Sequence, residues 1–364
     1  KIVLVGDNAP RFDHDIVTRE SKGLLIEEAR TNLAKYSDMD MDSIGSGYYG
    51  NVNLARAEGP DGVADSALQV TFTAAGSSFV RSGIIPCSAG VEYTFSVWIK
   101  KVSGSFNNSF FSYPQNASAG LFNNSGFVNT EGQSLSAMPT GVWKRFTQTR
   151  TTASGTTAMD FVMPGYDSNG AVIQYYGLQM EAGGFATSYI QSKDGSSTSR
   201  GADIVDIDGE DFTDFYNQTE STIISSHTLL TGVPNAENVY VYQIQDASTN
   251  NAIRVIDKNS SYSNVATAVI LNSGSSVAHF NNTTDSFTKD KVLVALSVKQ
   301  DDFAGCHNGG TVESDTSGTL ATNFNSIGIG RYPPSGGYEL NGHIQRFIYY
   351  PKQLSDSQLK TLTS

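Results

Sequence analysis

Glu92-Tyr93-Thr94-Phe95-Ser96-Val97-Trp98-Ile99-Lys100 alternates from residue to residue without a break. Successive side chains of a strand point to opposite faces, so Tyr93, Phe95, Val97 and Ile99 share one face and Thr94, Ser96, Trp98 and Lys100 the other. A period of two over this length predicts a half-buried β-strand. Working outward, Val142-Trp143-Lys144-Arg145-Phe146-Thr147-Gln148-Thr149 reads as another strand, and 171–181 as the strand that closes the same domain. Between them lie short apolar runs broken by Gly, Ser and Asn, the pattern of a sandwich or jelly roll.

The second half repeats this grammar. Strands are expected at 222–226, 239–245, 252–257, 266–271, 292–299, 327–330 and 343–350. His307-Asn308-Gly309-Gly310 carries a hairpin signal, because Asn and Gly tolerate the positive φ of a primed turn. Pro351 ends the last strand, and Ser355 reads as the N-cap of a helix running to about Leu362. The fold class is therefore all-β: two tandem β-sandwiches with a short C-terminal helix. The expected boundaries are 1–33 for an opening strand and linker, 34–192 for the first sandwich, 193–202 for a Gly/Ser linker, and 203–364 for the second.

A chain of 364 residues suits two domains of roughly 150–200 residues. The net charge of −12 denies the basic footprint that nucleic-acid binding needs, and an anionic membrane surface would repel it. No apolar run reaches about 18 residues, so no membrane span is expected. The two cysteines, Cys87 and Cys306, fall in different expected domains, and no CxxC pair is present to hold zinc. Free thiols fit folding in a reducing cytoplasm. The chain does not begin with Met, which points to a fragment or a processed product.

A sugar-binding face needs aromatic rings for C–H stacking and amides or charged groups for hydroxyls. Trp98, on the polar face of its strand, is either a ligand platform or a surface residue covered by a loop. Extending the phase of Leu178 and Met180 backwards places Tyr176 inward and Tyr175 outward with Gln179, so Trp98, Tyr175, Gln179 and Arg145 are candidates for one concave face. Tyr240 and Tyr242 alternate with Val239 and Val241, and one pair is expected to face out. Tyr332 and Tyr338 flank the rim loop Pro333-Pro334-Ser335-Gly336-Gly337, and rim loops often carry binding residues. No catalytic residue is expected. The strand-borne Glu-x-Asp-x-x-Glu set of concanavalin-like glucanases is missing, and the adjacent Glu27 and Glu28 point apart in a strand, with Arg30 near enough to pair with one of them. No cofactor is assigned. Ca2+ is the one candidate, with Asp206, Asp208 and Asp211, or Asp38, Asp40 and Asp42, as ligands.

Four segments together resemble one family. They are Gly23-Leu24-Leu25-Ile26-Glu27-Glu28-Ala29-Arg30-Thr31-Asn32-Leu33; Leu178-Gln179-Met180-Glu181-Ala182-Gly183 through Thr187-Ser188-Tyr189-Ile190; Arg200-Gly201-Ala202-Asp203; and Asn341-Gly342-His343-Ile344 through Leu359. The set is similar to phage and prophage virion proteins that join a carbohydrate-binding-module-like jelly roll to a concanavalin A-like, laminin G-like sandwich. Gly201 stands where that family usually has Ala, and Met180 where it usually has Leu. The resemblance implies a non-catalytic glycan-binding protein of a tail fibre or capsid fibre, displayed on the virion surface after synthesis in the host bacterial cytoplasm. Its implied partners are a host-surface polysaccharide, other virion proteins and further copies of itself, with a trimer as one arrangement. The alternatives are a polysaccharide lyase or hydrolase on the same folds, and a purely structural assembly protein. The Leu24–Leu33 run is expected to brace the opening strand to the first sandwich.

Overall fold

The computed structural model describes residues 9–15, 18–39, 49–74, 78–106, 110–115, 122, 127–129, 131–165, 168–193, 195–230, 233, 238–259, 265–281, 291–333 and 337–364. Expectations for the opening strand at 2–5, for Asp40 and Asp42, and for Pro334-Ser335-Gly336 lie outside these residues. The chain is all-β with two β-sandwiches and a short C-terminal helix, Asp356–Leu362. It divides into two compact units. Among the described residues one takes Ala29–Arg200, and the other takes 9–28 together with Gly201–Ser364.

In the first unit, a six-stranded antiparallel sheet runs Val128–Asn129, Trp143–Thr151, Glu92–Ser103, Val172–Ala182, Ala67–Phe72, Val52–Ala57. A four-stranded sheet faces it: Tyr49–Gly50, Phe79–Pro86, Ala158–Val162, Phe111–Gln115. The predicted inward set Tyr93, Phe95, Val97 and Ile99 is buried. Phe95 stacks on Phe161 of the facing sheet at 4.2 Å, and Phe110 on Phe127 at 4.0 Å. Each such fully buried ring contributes on the order of 2 kcal/mol.

In the second unit, a seven-stranded sheet runs Phe12–His14, Ser21–Ile26, Gly342–Tyr350, Glu220–Leu229, Val292–Lys299, Asp302–His307, Glu313–Asp315. The facing sheet runs Asp206–Asp208, Ser326–Ile329, Val239–Gln245, Ala252–Asn259, Val265–Asn272, Ser275–Asn281. The core between them holds Tyr242, Phe280, Leu296, Phe303 and Phe324. Asn308 and Gly309 take φ of 47° and 67° at the expected primed turn, closed by Gly310 N–H to His307 O at 2.8 Å. The C-terminal helix covers the outer side of the seven-stranded sheet through Leu359 and Leu354. Among the described residues no helix is long and apolar enough to cross a membrane.

The opening segment departs from expectation. Leu24, Leu25 and Ile26 pair with Ile344, His343 and Gly342, so the strand belongs to the second sandwich and not to the first. Gly23 is required there: at φ +96°, a Cβ would lie 2.2 Å from Ile344 O. The segment is latched by Arg11, which donates to Glu27 Oε2 at 2.7 Å and also binds Asp203. Asp203 Oδ2 accepts the Glu27 N–H at 2.7 Å, and Glu28 exchanges hydrogen bonds with Asn341 at 2.9 and 2.8 Å. The partner of Glu27 is thus Arg11 rather than Arg30, whose guanidinium lies 4.7 Å over the Phe185 ring. Immediately after Ala29 the chain enters the first unit, where Arg30–Asn32 pairs antiparallel with Thr198–Arg200.

Candidate functional site

In the first unit the register sets Trp98 between Arg145 on one neighbouring strand and Tyr176 on the other. Cross-strand partners share a face, so these three sit on the outer side of the six-stranded sheet. Trp98 is half-buried, and its indole N–H is buried with no hydrogen-bond partner among the described residues. The Trp143 and Tyr176 rings meet edge-on at 6.5 Å, Tyr176 meets Tyr189 at 5.2 Å, and the Lys100 ammonium lies 5.5 Å over Trp143. The Arg145 guanidinium donates to Thr187 O at 2.6 Å and Ser96 Oγ at 2.8 Å.

Two of the expected binding residues are fully buried. Tyr175 is fully buried on the inner face, opposite Ile99, and its hydroxyl donates to Pro164 O. Burial raises its pKa strongly. Gln179 does lie on the outer face, opposite Ser96, but it is fully buried under the segment that follows its own strand. Its Oε1 accepts Ile190 N–H at 2.7 Å, and its Nε2 donates to Thr187 O and Ser188 O at 3.4 and 3.3 Å. Glu181 does the same work two residues on, accepting the N–H of Thr187 at 3.1 Å and its hydroxyl. Gln179 and Glu181 are clips, not ligand contacts.

The physical cause of the phase error is a β-bulge. The register slips between Tyr176 and Gln179, with Gly177 at φ +67°. The extra residue shifts the alternation by one, so Tyr176, not Tyr175, joins Trp98. A Cβ on Gly177 would approach the Trp98 and Tyr189 rings to 3.3 Å, which places the bulge against the aromatic cluster it creates.

A second aromatic cluster sits on the outer side of the six-stranded sheet of the second unit. Tyr240, Tyr332 and Tyr338 lie mutually 5.0–6.1 Å apart, and the Arg254 guanidinium is 5.9 Å over Tyr240. Tyr240 is 8% exposed, whereas Tyr338 is 55% exposed. Burial raises the Tyr240 pKa; Arg254 opposes the shift, and the neighbouring tyrosines add to it. Here too a bulge, between Tyr240 and Tyr242, changes the expected pairing. Tyr242 turns into the core against Phe347 at 5.4 Å while Tyr240 stays outside, so the two tyrosines do not form one outward pair. Tyr332 is half-buried in the cluster at the rim, its N–H donating to Gly337 O at 3.3 Å.

Asp206, Asp208 and Asp211 do not form a metal-binding group of three, and Asp40 and Asp42 lie outside the described residues. Arg331 binds Asp206 at 3.2 Å, and among the described residues no three His, Cys, Asp or Glu side chains are grouped to hold a metal. Asp206 has a raised pKa from burial; Arg331 opposes this and Asp208 reinforces it.

No protein-family model matches the chain, and no curated protein matches it in sequence. Some solved structures are similar to part of the chain. The CBM40 module of the Ruminococcus gnavus IT-sialidase, bound to α2,3-sialyllactose, superposes at TM-score 0.34 and 14% identity, covering 40% of this chain and 83% of the module. A heptameric SAP-like pentraxin from Limulus polyphemus gives 0.32 and 11%, covering 40% and 70%. The binding domain of a botulinum neurotoxin of serotype D/C gives 0.34 and 15%, covering 45% and 41%. At these scores nothing about this chain's residues follows from its neighbours' ligands.

Proposed function

We propose that the chain is a non-catalytic glycan-binding protein of a phage virion, serving attachment to a host-surface polysaccharide. The observation that carries the binding role is Tyr338. It is a bulky residue held at φ +57° with 55% of its surface in water. Left-handed backbone costs a non-glycine residue about 1 kcal/mol, and an exposed ring forgoes burial. A fold that keeps both penalties at a loop rim, beside two further tyrosines, is presenting a stacking surface. Trp98 and Trp143 supply a second aromatic face in the first unit. The virion setting is supported by the four motif segments, and the acidity of the chain suits a surface-displayed protein. Individually weak sites would gain by avidity from several copies, as in a trimeric fibre, without any new contact.

The test is a glycan array and a host-cell adsorption assay on the wild type, Tyr338→Ala and Trp98→Ala. Each variant is expected to lose about tenfold in affinity, the worth of a ring–sugar stack. If both variants, shown to be folded, bind as the wild type does, the aromatic surfaces are not the site.

A further inference from the structure

On the same face as the tyrosines, the sheet carries a cavity of about 260 Å³ lined by Asp206, Asp208, Gln245, Asn325, Ser326 and Pro333. Register fixes the face: Asp206 pairs with Gly328, Gly328 with Gln243, and Gln243 with Arg254. Arg254 is the cation over Tyr240. Pro333 is the chain neighbour of Tyr332 and packs over Gly328, where a Cβ would stand 2.4 Å from its ring. One wall of the cavity is therefore shared with the tyrosine rim.

The cavity sets two exposed acids, Asp206 and Asp208, against a buried amide, Gln245. Gln245 is only 8% exposed, yet its amide is half used: Oε1 accepts from Gln243 Nε2 at 2.6 Å, and Nε2 finds no acceptor among the described residues. Arg331, also 8% exposed, pins Asp206 from the side. The donor and acceptor inventory is thus specific. Two carboxylates offer acceptor lone pairs, and among the described residues Asp206 alone is matched by a cation. One buried amide offers a free N–H, and Asn325 and Ser326 can do either.

Resting on the glycan-binding reading above, we infer that this cavity is the polar subsite of the tyrosine platform and that it selects uncharged sugars over acidic ones. Sugar hydroxyls donate to Asp206 and Asp208 and accept from Gln245 Nε2. A uronate or sialate would bring a further carboxylate beside Asp208, and like charges repel.

The probes are uncharged hexose oligosaccharides and their uronic-acid or sialylated counterparts, presented to the wild type, Gln245→Ala, Asp208→Asn and Tyr338→Ala, with and without EDTA. The wild type is expected to bind uncharged members. Gln245→Ala is expected to lose roughly 10- to 100-fold, the cost of an unmade hydrogen bond in a buried polar site. Asp208→Asn is expected to narrow the gap between uncharged and acidic ligands. Thermal melts confirm that the variants are folded. Preference of the wild type for acidic glycans, loss of binding in EDTA, or full-strength binding by Gln245→Ala while Tyr338→Ala is impaired each overturns the subsite and leaves the platform standing. Binding of no glycan by the wild type overturns the platform itself.

Discussion

Lowering the pH from 7 to 4 should destabilise the second unit through one residue, His307. It ends the strand Asp302–His307, is 8% exposed, and has its Nε2 buried without a partner among the described residues. Burial pushes its pKa down from 6.5 to about 4; His227 pushes the same way and Asp257 opposes. His227 and Asp257 are themselves fully enclosed and joined Nε2 to Oδ2 at 2.9 Å, so a charged His307 would have no water to share. The sign follows from linkage. As pH falls below 6.5 the unfolded chain takes up this proton while the folded chain resists, so stability drains away down to about pH 4 and then levels off. The full drop is worth about 3 kcal/mol. Asp206, whose pKa is raised, acts in the opposite direction. Asp13 and Asp246, whose values are lowered, add further loss only at the acid end. Both tryptophans lie in the first unit, so urea unfolding of the second must be followed by tyrosine near-UV circular dichroism. Wild type should lose about 3 kcal/mol between pH 7 and 4, and His307→Leu should lose far less. A flat wild-type profile, or an equally steep one in His307→Leu, would refute the assignment.

Two further substitutions test how the units are fastened internally. Asn32 is fully buried and makes four hydrogen bonds, donating to Leu178 O and Ile190 O and accepting from Ala34 and Met180 N–H. Asn32→Ala should cost the first unit about 3 kcal/mol, lowering its tryptophan-monitored melting temperature by roughly 10 °C; a shift near zero would show that the network relaxes freely. Asp203→Ala removes the acceptor shared by Arg11 and the Glu27 N–H and should cost the second unit about 1–3 kcal/mol, with no change in the tryptophan melt. A loss confined to the first unit would place the latch wrongly.

The long strands were legible because each carries its own alternation. The inward set of Glu92–Ser103 and the strands Val239–Gln245 and Val292–Lys299 lie where the pattern puts them. The helix after Pro351 was legible for the same local reason, with Gln358 Oε1 accepting the Ser355 N–H at 3.0 Å. Candidate ligand residues were misplaced wherever a bulge intervened. Alternation is a relative phase, and a single inserted residue inverts everything beyond it. Gly177 was visible in the sequence, and a lone glycine inside a strand pattern is the available signal of a bulge. No such mark stands between Tyr240 and Tyr242, where Val241 takes the bulge position in an unbroken apolar run.

The run Gly23–Leu33 shows the deeper limit. Its apolar residues announce a strand, but alternation says which side chains go inward, never which distant strand they pair with. Leu24, Leu25 and Ile26 find their partners more than three hundred positions along the chain. Arg30, Thr31 and Asn32 find theirs at Arg200, Ser199 and Thr198. Between the two sets lie only Glu27, Glu28 and Ala29, and both glutamates are spent on the second unit. The hand-over from one fold to the other is thus made at Ala29. This explains why the run combines residues that no single strand needs: a glycine for close approach, two adjacent carboxylates that must point apart to reach Arg11 and Asn341, and a buried Asn for the next sheet. It explains equally why Arg200 and Asp203 stand so close together. The return crossing falls between them, Arg200 binding Ser188 Oγ at 2.8 Å within the first unit and Asp203 closing the latch of the second. Two of the motifs that mark the architecture are therefore the points where one sandwich is threaded into the sequence of the other, and their chemistry is consumed in doing so. In the glycan-binding function proposed above, ligand contacts would be left to the sheet faces and rims, where Trp98, Tyr332 and Tyr338 stand.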